Sequence, residues 1–255
     1  MRTQGLGRFV GAATLAVAVV GAAASAGASP ANITAAVADA GRPQTDKDKD
    51  AERKPAEMLT FARVRPGQSV VDFMPGGGYF TRLFSVAVGP KGKVYAFIPK
   101  EVAGFSKKPL PDNGSSPDPA HPNVVALVAP VMDFSTPAPV DLVWTSQNYH
   151  DLHDPFMGPA DMAKFDAAVY RALKPGGLFV VLDHSAAAGS GTSATNTLHR
   201  IDAAVVKKEV TAAGFVFVGE SNVLRNPADP RTALVFDKSI RGHTDQFIYK
   251  FRKPN

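Results

Sequence analysis

Residues 70–80 read Val-Val-Asp-Phe-Met-Pro-Gly-Gly-Gly-Tyr-Phe. A β-branched run ends in an acid, three glycines follow, and an amphipathic segment begins. That order predicts a strand, a tight turn and a helix start. Glycines let the main chain approach a ligand closely, and a helix N-terminus presents free N–H groups to it. The stretch therefore suits a nucleotide-like ligand, provided the flanking chain builds the matching fold.

Downstream, β-rich runs alternate with helical patterns. Phe80, Leu83, Phe84 and Ala87 fall at helical spacing before Gly89-Pro90. Strands are expected at 93–98, 124–128, 140–145, 178–182, 215–218 and 247–251. Met162, Phe165, Val169 and Leu173 mark a helix closed by Lys174-Pro175-Gly176-Gly177, and Leu198, Ile201, Ala204 and Val205 mark another, closed by Gly214. Segment 99–122, with six prolines, and the polar, proline-containing segment 224–244 are irregular and are expected to shape the substrate pocket. Upstream, 46–57 alternates acids and bases before Met58, Leu59, Phe61 and Val64, which reads as a helix with a solvated charged face, with Arg53 and Glu57 paired one turn apart. The pattern implies an α/β fold: a doubly wound, mostly parallel sheet with helices on both faces. Ligands of such sheets bind beyond the carboxyl ends of the strands, where strand order reverses.

The N-terminus has its own signature. Arg2 and Arg8 precede an apolar run of small residues, and Ala24-Ser25-Ala26 and Ala26-Gly27-Ala28 both fit a cleavage site. This reads as a signal peptide over 1–28, with an uncleaved N-terminal anchor as the alternative, followed by a loosely ordered linker over 29–45 and one domain over 46–255. The expected location is the periplasm or the medium, with no stable membrane insertion after cleavage. The chain has 255 residues, no cysteine and a net charge of +5. Removing two arginines with the leader leaves +3. Charges are dispersed and no basic run is interleaved with aromatics, so nucleic acid is not an expected partner. Oligomeric state cannot be read from the pattern.

The chain resembles the class I S-adenosylmethionine-dependent methyltransferases, and more narrowly a group of predicted exported bacterial methyltransferases. The resemblance rests on the glycine loop, on Gly-Lys-Val-Tyr-Ala, on Asp-Leu-Val-Trp-Thr-Ser-Gln-Asn-Tyr-His, on Arg-Ala-Leu-Lys-Pro-Gly-Gly-Leu-Phe-Val-Val-Leu-Asp and on the terminal Thr-Asp-Gln-Phe-Ile-Tyr-Lys-Phe-Arg-Lys-Pro. It implies a Rossmann-like seven-stranded sheet with an antiparallel last strand, S-adenosylmethionine as cofactor and a small-molecule acceptor. By the same resemblance Asp72 lies near the cofactor's amino-acid portion, and Gly76 and Gly78 allow close approach; Gly77, Asn148 and Tyr79, which opens the helix beside the loop and could equally serve packing, are further candidate cofactor-binding residues. Three positions depart from the pattern. Met74 stands where a glycine is usual. Ile98 stands where the second strand normally ends in a ribose-binding acid, which leaves Glu101 as the nearby substitute. Pro130 takes the place of an adenine-side acid, with Asp133 the nearest candidate.

Histidines and acids gather on one expected rim. Asn148, Tyr149, His150, Asp151, His153 and Asp154 follow the fourth strand, Asp183 and His184 end the fifth, and His199 and Asp202 are spaced to share a helix face. Tyr149, His150 and His184 are the candidate catalytic groups. Either histidine suits a general base, since an ordinary imidazole titrates near neutrality. A divalent metal held by His150, His184, His199 and a carboxylate is an alternative, although no standard zinc spacing is present; so is a structural role. Trp144 reads as core. The expected function is methyl transfer to a small molecule; the alternative is a binding protein on the same scaffold, with a metal-dependent hydrolase third.

Overall fold

The computed structural model describes Met1 and residues 30–106, 109–158 and 160–255. Apart from Met1, the expected leader lies outside this range. Among the described residues no helix is long and apolar enough to cross a membrane.

The elements in chain order are α1 (Ala31–Ala38), α2 (Gln44–Lys47), α3 (Asp50–Arg53), α4 (Pro55–Phe61), β1 (Ser69–Phe73), α5 (Tyr79–Val88), β2 (Lys93–Pro99), β3 (Val124–Ala129), β4 (Val140–Ser146), α6 (Met162–Ala172), β5 (Leu173–His184), α7 (Thr195–Leu198), α8 (Ala203–Ala212), β6 (Val216–Ser221) and β7 (Gln246–Arg252). The seven strands form one sheet in the order β3-β2-β1-β4-β5-β7-β6. β2, β3, β4 and β5 extend the sheet in parallel from β1. β7 runs antiparallel between β5 and β6. This is the Rossmann-like methyltransferase fold, with the antiparallel last strand that the resemblance implies.

Alternate residues of β1 feed two cores. Val71 and Phe73 face a cluster containing Phe97, Phe165, Val169 and Phe179. Val70 faces the other, with Leu83, Phe84 and Trp144. That is the period-two alternation of a strand covered on both faces. Trp144 is core as expected: its ring centroid is 4.8 Å from that of Phe80 and 5.8 Å from that of Phe84. Truncating so large a buried ring costs about 3–5 kcal/mol in typical cores.

Three segments differ from expectation. Residues 31–38, expected in a loose linker, form α1. Ile33 and Ala36 are buried, and the Asn32 amide donates to the carbonyls of Val64 and Ala87 at 3.3 and 3.0 Å. The apolar signal is only those two positions, too little to stand out in a run of alanine and threonine. The charged segment is not one helix. Lys54 adopts φ 47° and Pro55 opens α4; a residue before proline is disfavoured in the α conformation. Arg53 and Glu57 therefore lie on different helices, and tertiary ion pairs pin the short pieces: Arg42 to Asp50, and Arg82 to Asp46, both at 2.6 Å. Finally, the stretch expected as one helix is two, α7 and α8, broken where Ile201 bridges to Ser185. His199 takes φ 51° and Asp202 caps α8, so these two do not share a helix face.

The Leu-Lys-Pro-Gly-Gly element, expected as a turn, opens β5. A register shift opposite Val140 and Leu142 absorbs it.

Candidate functional site

A cavity of about 1160 Å³ opens at the carboxyl ends of β1, β2, β4 and β5, at the reversal of strand order between β1 and β4. Asp72, Met74, Gly76 and Gly77 line it from β1, Ile98 from β2, Asn148 from the end of β4 and His184 from β5. Segments 99–122 and 224–244 contribute Val102, Phe105, Leu110, Val235 and Phe236, so both irregular stretches do shape the cavity. Asp46, Lys49 and Arg53 also face it. The charge run read as a solvated face therefore forms part of the wall. The three come from α2, the turn after it and α3, so no single helix face in the sequence announced them.

The glycine loop is held on both sides. The Met74 N–H donates to the Phe97 carbonyl at 2.9 Å, and the Asn148 amide donates to the Met74 carbonyl at 3.0 Å. On the far side the Arg82 guanidinium donates to the Gly77 carbonyl at 2.8 Å. Met74 takes φ 53°, a left-handed conformation that costs a non-glycine residue roughly 1–2 kcal/mol. The glycine usual at this position would carry no such strain. Gly77 needs no special backbone conformation, and a Cβ placed there meets nothing within 4 Å. Neither its own dihedrals nor its neighbours demand glycine; a ligand pressed against the loop would. Gly78 lies off the wall and instead turns the chain into α5 at φ 78°.

Asp72 is buried, with the Thr81 hydroxyl donating to it at 2.6 Å. Burial pushes its pKa up to about 7, against the Thr81 hydrogen bond and the Arg53 charge, which lower it. Tyr79 stands beside it on the wall; its hydroxyl donates to Asp50 at 2.7 Å and the Arg53 guanidinium lies 4.8 Å from its ring centroid.

The expected substitutes for the missing acids are elsewhere. Both Glu101 oxygens accept the Val131 N–H, at 3.0 and 3.1 Å, and the residue is not on the cavity wall. The 3-10 helix over Lys100–Phe105 carries this carboxylate toward the turn after β3. Asp133 sits in that turn, exposed and off the wall. The end of β2 offers the cavity Ile98 alone as its side chain at the expected acid position.

Tyr149 is also displaced from its expected role. It is fully buried, and its hydroxyl lies 2.9 Å from Asp166 and 3.0 Å from Glu209. Burial, with the Glu209 charge nearby, pushes the Asp166 pKa up to about 8, against the Tyr149 hydrogen bond. The trio is a core hydrogen-bond network beneath the site.

The histidines do converge, with unlike environments. The His150 Nδ1 lies 2.8 Å from Asp183, and its Nε2 lies 3.2 Å from both the His199 Nδ1 and the Asp151 carboxylate. Burial alone would lower the His150 pKa, but Asp183 and Asp151 overcome it and raise it to about 10. His184, whose Nδ1 meets the Thr244 hydroxyl at 2.7 Å, is lowered by burial to about 4 despite Asp183. Neither ring titrates near neutrality, so neither is poised as the general base that the sequence suggested. Arg200, next to His199, turns inward: it is buried in a bidentate pair with Asp229 and donates to the Ser185 and Ala233 carbonyls. It anchors segment 224–244 and fixes where His199 projects.

No family profile matches the sequence, and no curated protein matches it. Many solved structures match the fold. A S-adenosylmethionine-dependent methyltransferase from Aquifex aeolicus is similar at 19% identity and TM-score 0.54, over 83% of this chain and 98% of that one. The 1,6-didemethyltoxoflavin-N1-methyltransferase of Burkholderia thailandensis, solved with that substrate and S-adenosylhomocysteine, is similar at 18% identity and TM-score 0.50, over 82% and 80%. The [4+2]-cyclase SpnF is similar at 17% identity and TM-score 0.53, over 82% and 80%. The class these define is a fold, the one built by methyltransferases and by at least one cyclase.

Proposed function

We propose that the chain is an exported S-adenosylmethionine-dependent methyltransferase acting on a small molecule. The observation that carries this reading is the glycine loop at the end of β1, lying on the wall of a large cavity where strand order reverses. Gly77 supports it further, since its missing side chain leaves room against a loop that nothing in the protein itself requires. Asp72 and the backbone of Gly76 and Gly77 would hold the amino-acid end of the cofactor, and Ile98 and Val102 would face its nucleoside. When bound, the cofactor supplies an electrophilic methyl group on sulfur. The protein's part is to align an acceptor nucleophile with that methyl group and to exclude water, which by itself accounts for large rate effects. The apolar wall of Val102, Phe105, Leu110, Val235 and Phe236 suits an acceptor with substantial apolar surface. Calorimetry with S-adenosylmethionine and S-adenosylhomocysteine tests the reading. One molecule should bind per chain, and absence of binding at millimolar ligand would end it.

A second reading, a binding protein on this scaffold, is favoured by Ile98. A ribose acid is charge-assisted in its hydrogen bonding, and its loss weakens binding by roughly 1.5–3 kcal/mol. The similarity to a cyclase shows that this fold carries other functions. Binding without methylation of any member of a broad acceptor panel would favour the second reading.

A further inference from the structure

We propose that His150, Asp151 and His199 form a binding site for one divalent first-row transition-metal ion on the wall of the cavity. The His150 Nε2 is 3.2 Å from the His199 Nδ1 and 3.2 Å from the Asp151 Oδ1, and the last two are 3.8 Å apart. The point equidistant from the three atoms lies about 2.0 Å from each, the length of a zinc–imidazole or zinc–carboxylate bond. An ion at that point lies in the plane of the three atoms, and moved about 0.8 Å out of it toward the cavity it is about 2.1 Å from each, so the three donors need only small shifts to serve as ligands on one face of a metal ion.

The surroundings match a metal site at the next level out. A ligating histidine ordinarily donates its other ring N–H to a carboxylate, which fixes its orientation. The His150 Nδ1 does so to Asp183, which is 0% exposed, and a bound ion would displace the proton that the metal-free ring carries on Nε2. His199 is delivered to the cluster by a left-handed backbone at φ 51° just after α7. Such a conformation is uncommon for a non-glycine residue, though less so for histidine than for most, and locates modest local strain at one ligand. The buried Arg200–Asp229 pair holds the next residue in place. All three ligands line the cavity, so the remaining coordination positions face the space where a small molecule would sit. Two imidazoles and one carboxylate with no thiolate suit Zn²⁺, Fe²⁺, Co²⁺ or Mn²⁺. The open positions would take an oxygen or nitrogen donor, from water or from a bound molecule. None of this depends on the methyltransferase reading.

The test is titration of untagged, chelator-treated protein with Co²⁺, followed by absorbance, and with Zn²⁺ by calorimetry. One ion should bind per chain. His199→Asn, which tolerates the left-handed backbone, and Asp151→Asn should each weaken binding at least about a hundredfold. Asp183→Asn, which changes a positioning residue, should weaken it tenfold to a hundredfold. His243→Asn, at an exposed histidine outside the cluster, should leave it unchanged. Circular dichroism on each variant separates loss of ligand from loss of fold. Failure of wild-type protein to bind either ion, or binding that survives His199→Asn and Asp151→Asn in folded protein, overturns the proposal. Binding of S-adenosylhomocysteine to the metal-free protein is read separately, so the two readings fail independently.

Discussion

A single carboxylate holds both the ring and the main chain of His150. Asp183 Oδ1 lies 2.8 Å from the ring Nδ1, and Asp183 Oδ2 accepts the His150 backbone N–H at 2.8 Å. Oδ1 also accepts the His184 N–H at 2.7 Å. The end of β5 and the loop after β4 are therefore tied through one buried charge. Asp183→Asn keeps the shape but offers only one accepting atom and turns an NH₂ toward a donor. Breaking a buried ion pair from one side costs about 3–5 kcal/mol, and urea unfolding should show a loss near the lower figure. A loss below about 1 kcal/mol would mean that the His150 ring is not charged against this group.

Asp72 carries the site's most accessible pH prediction. Its folded pKa is near 7 and its ordinary value 3.8. Between those values the native state holds a proton that the unfolded chain has released. The stability it contributes is complete below the lower value and lost as pH rises through the upper one. Asp72→Asn, which can still accept from Thr81, should remove this dependence. The wild type should lose on the order of 2 kcal/mol more than the variant between about pH 5 and pH 8, read from paired urea curves. Parallel curves would show that Asp72 is ionised throughout.

Ile98 is the position where an acid should strengthen cofactor binding. Ile98→Asp is expected to raise affinity for S-adenosylhomocysteine by roughly tenfold to a hundredfold, equivalent to about 1.5–3 kcal/mol. Calorimetry reads this directly. An unchanged or weakened affinity would mean that the nucleoside does not lie along the end of β2.

Met74→Gly should relieve the left-handed strain at φ 53°. Glycine also frees the unfolded chain, and the methionine loses its packing against the core. Melting temperature is therefore expected to change little. Affinity for S-adenosylhomocysteine should rise, because the side chain leaves the cavity wall. A fall in affinity would show that the thioether contacts the ligand.

The sheet was legible because its signals are local. β1 through β5 announce themselves as β-branched runs between helix-spaced residues, and the glycine loop falls between the two patterns. What stayed hidden depends on distant partners. Glu101 looked free in sequence, but its carboxylate is taken by a backbone N–H thirty residues on. Tyr149 looked like a rim residue, but the sheet sends it beneath the site to Asp166. Lys49 and Arg53 read as solvated until the fold laid α3 and the turn before it along the cavity. The rim histidines were correctly gathered, yet their roles differ by environment: Asp183 charges one ring and burial keeps the other neutral, a contrast that residue spacing does not encode.

Helix α1 has a practical consequence. Its Ile33 and Ala36 cover the hydrophobic cluster that also receives Leu83, Phe84 and Trp144, and the next turn carries Arg42, which braces Asp50 and through it Tyr79. A shortened gene starting at residue 46, the boundary that composition suggests, would strip a lid from the core and loosen one side of the ligand cavity together. Such a product would be prone to aggregate, and its inactivity would be mistaken for absence of function. Recombinant versions should begin no later than Pro30.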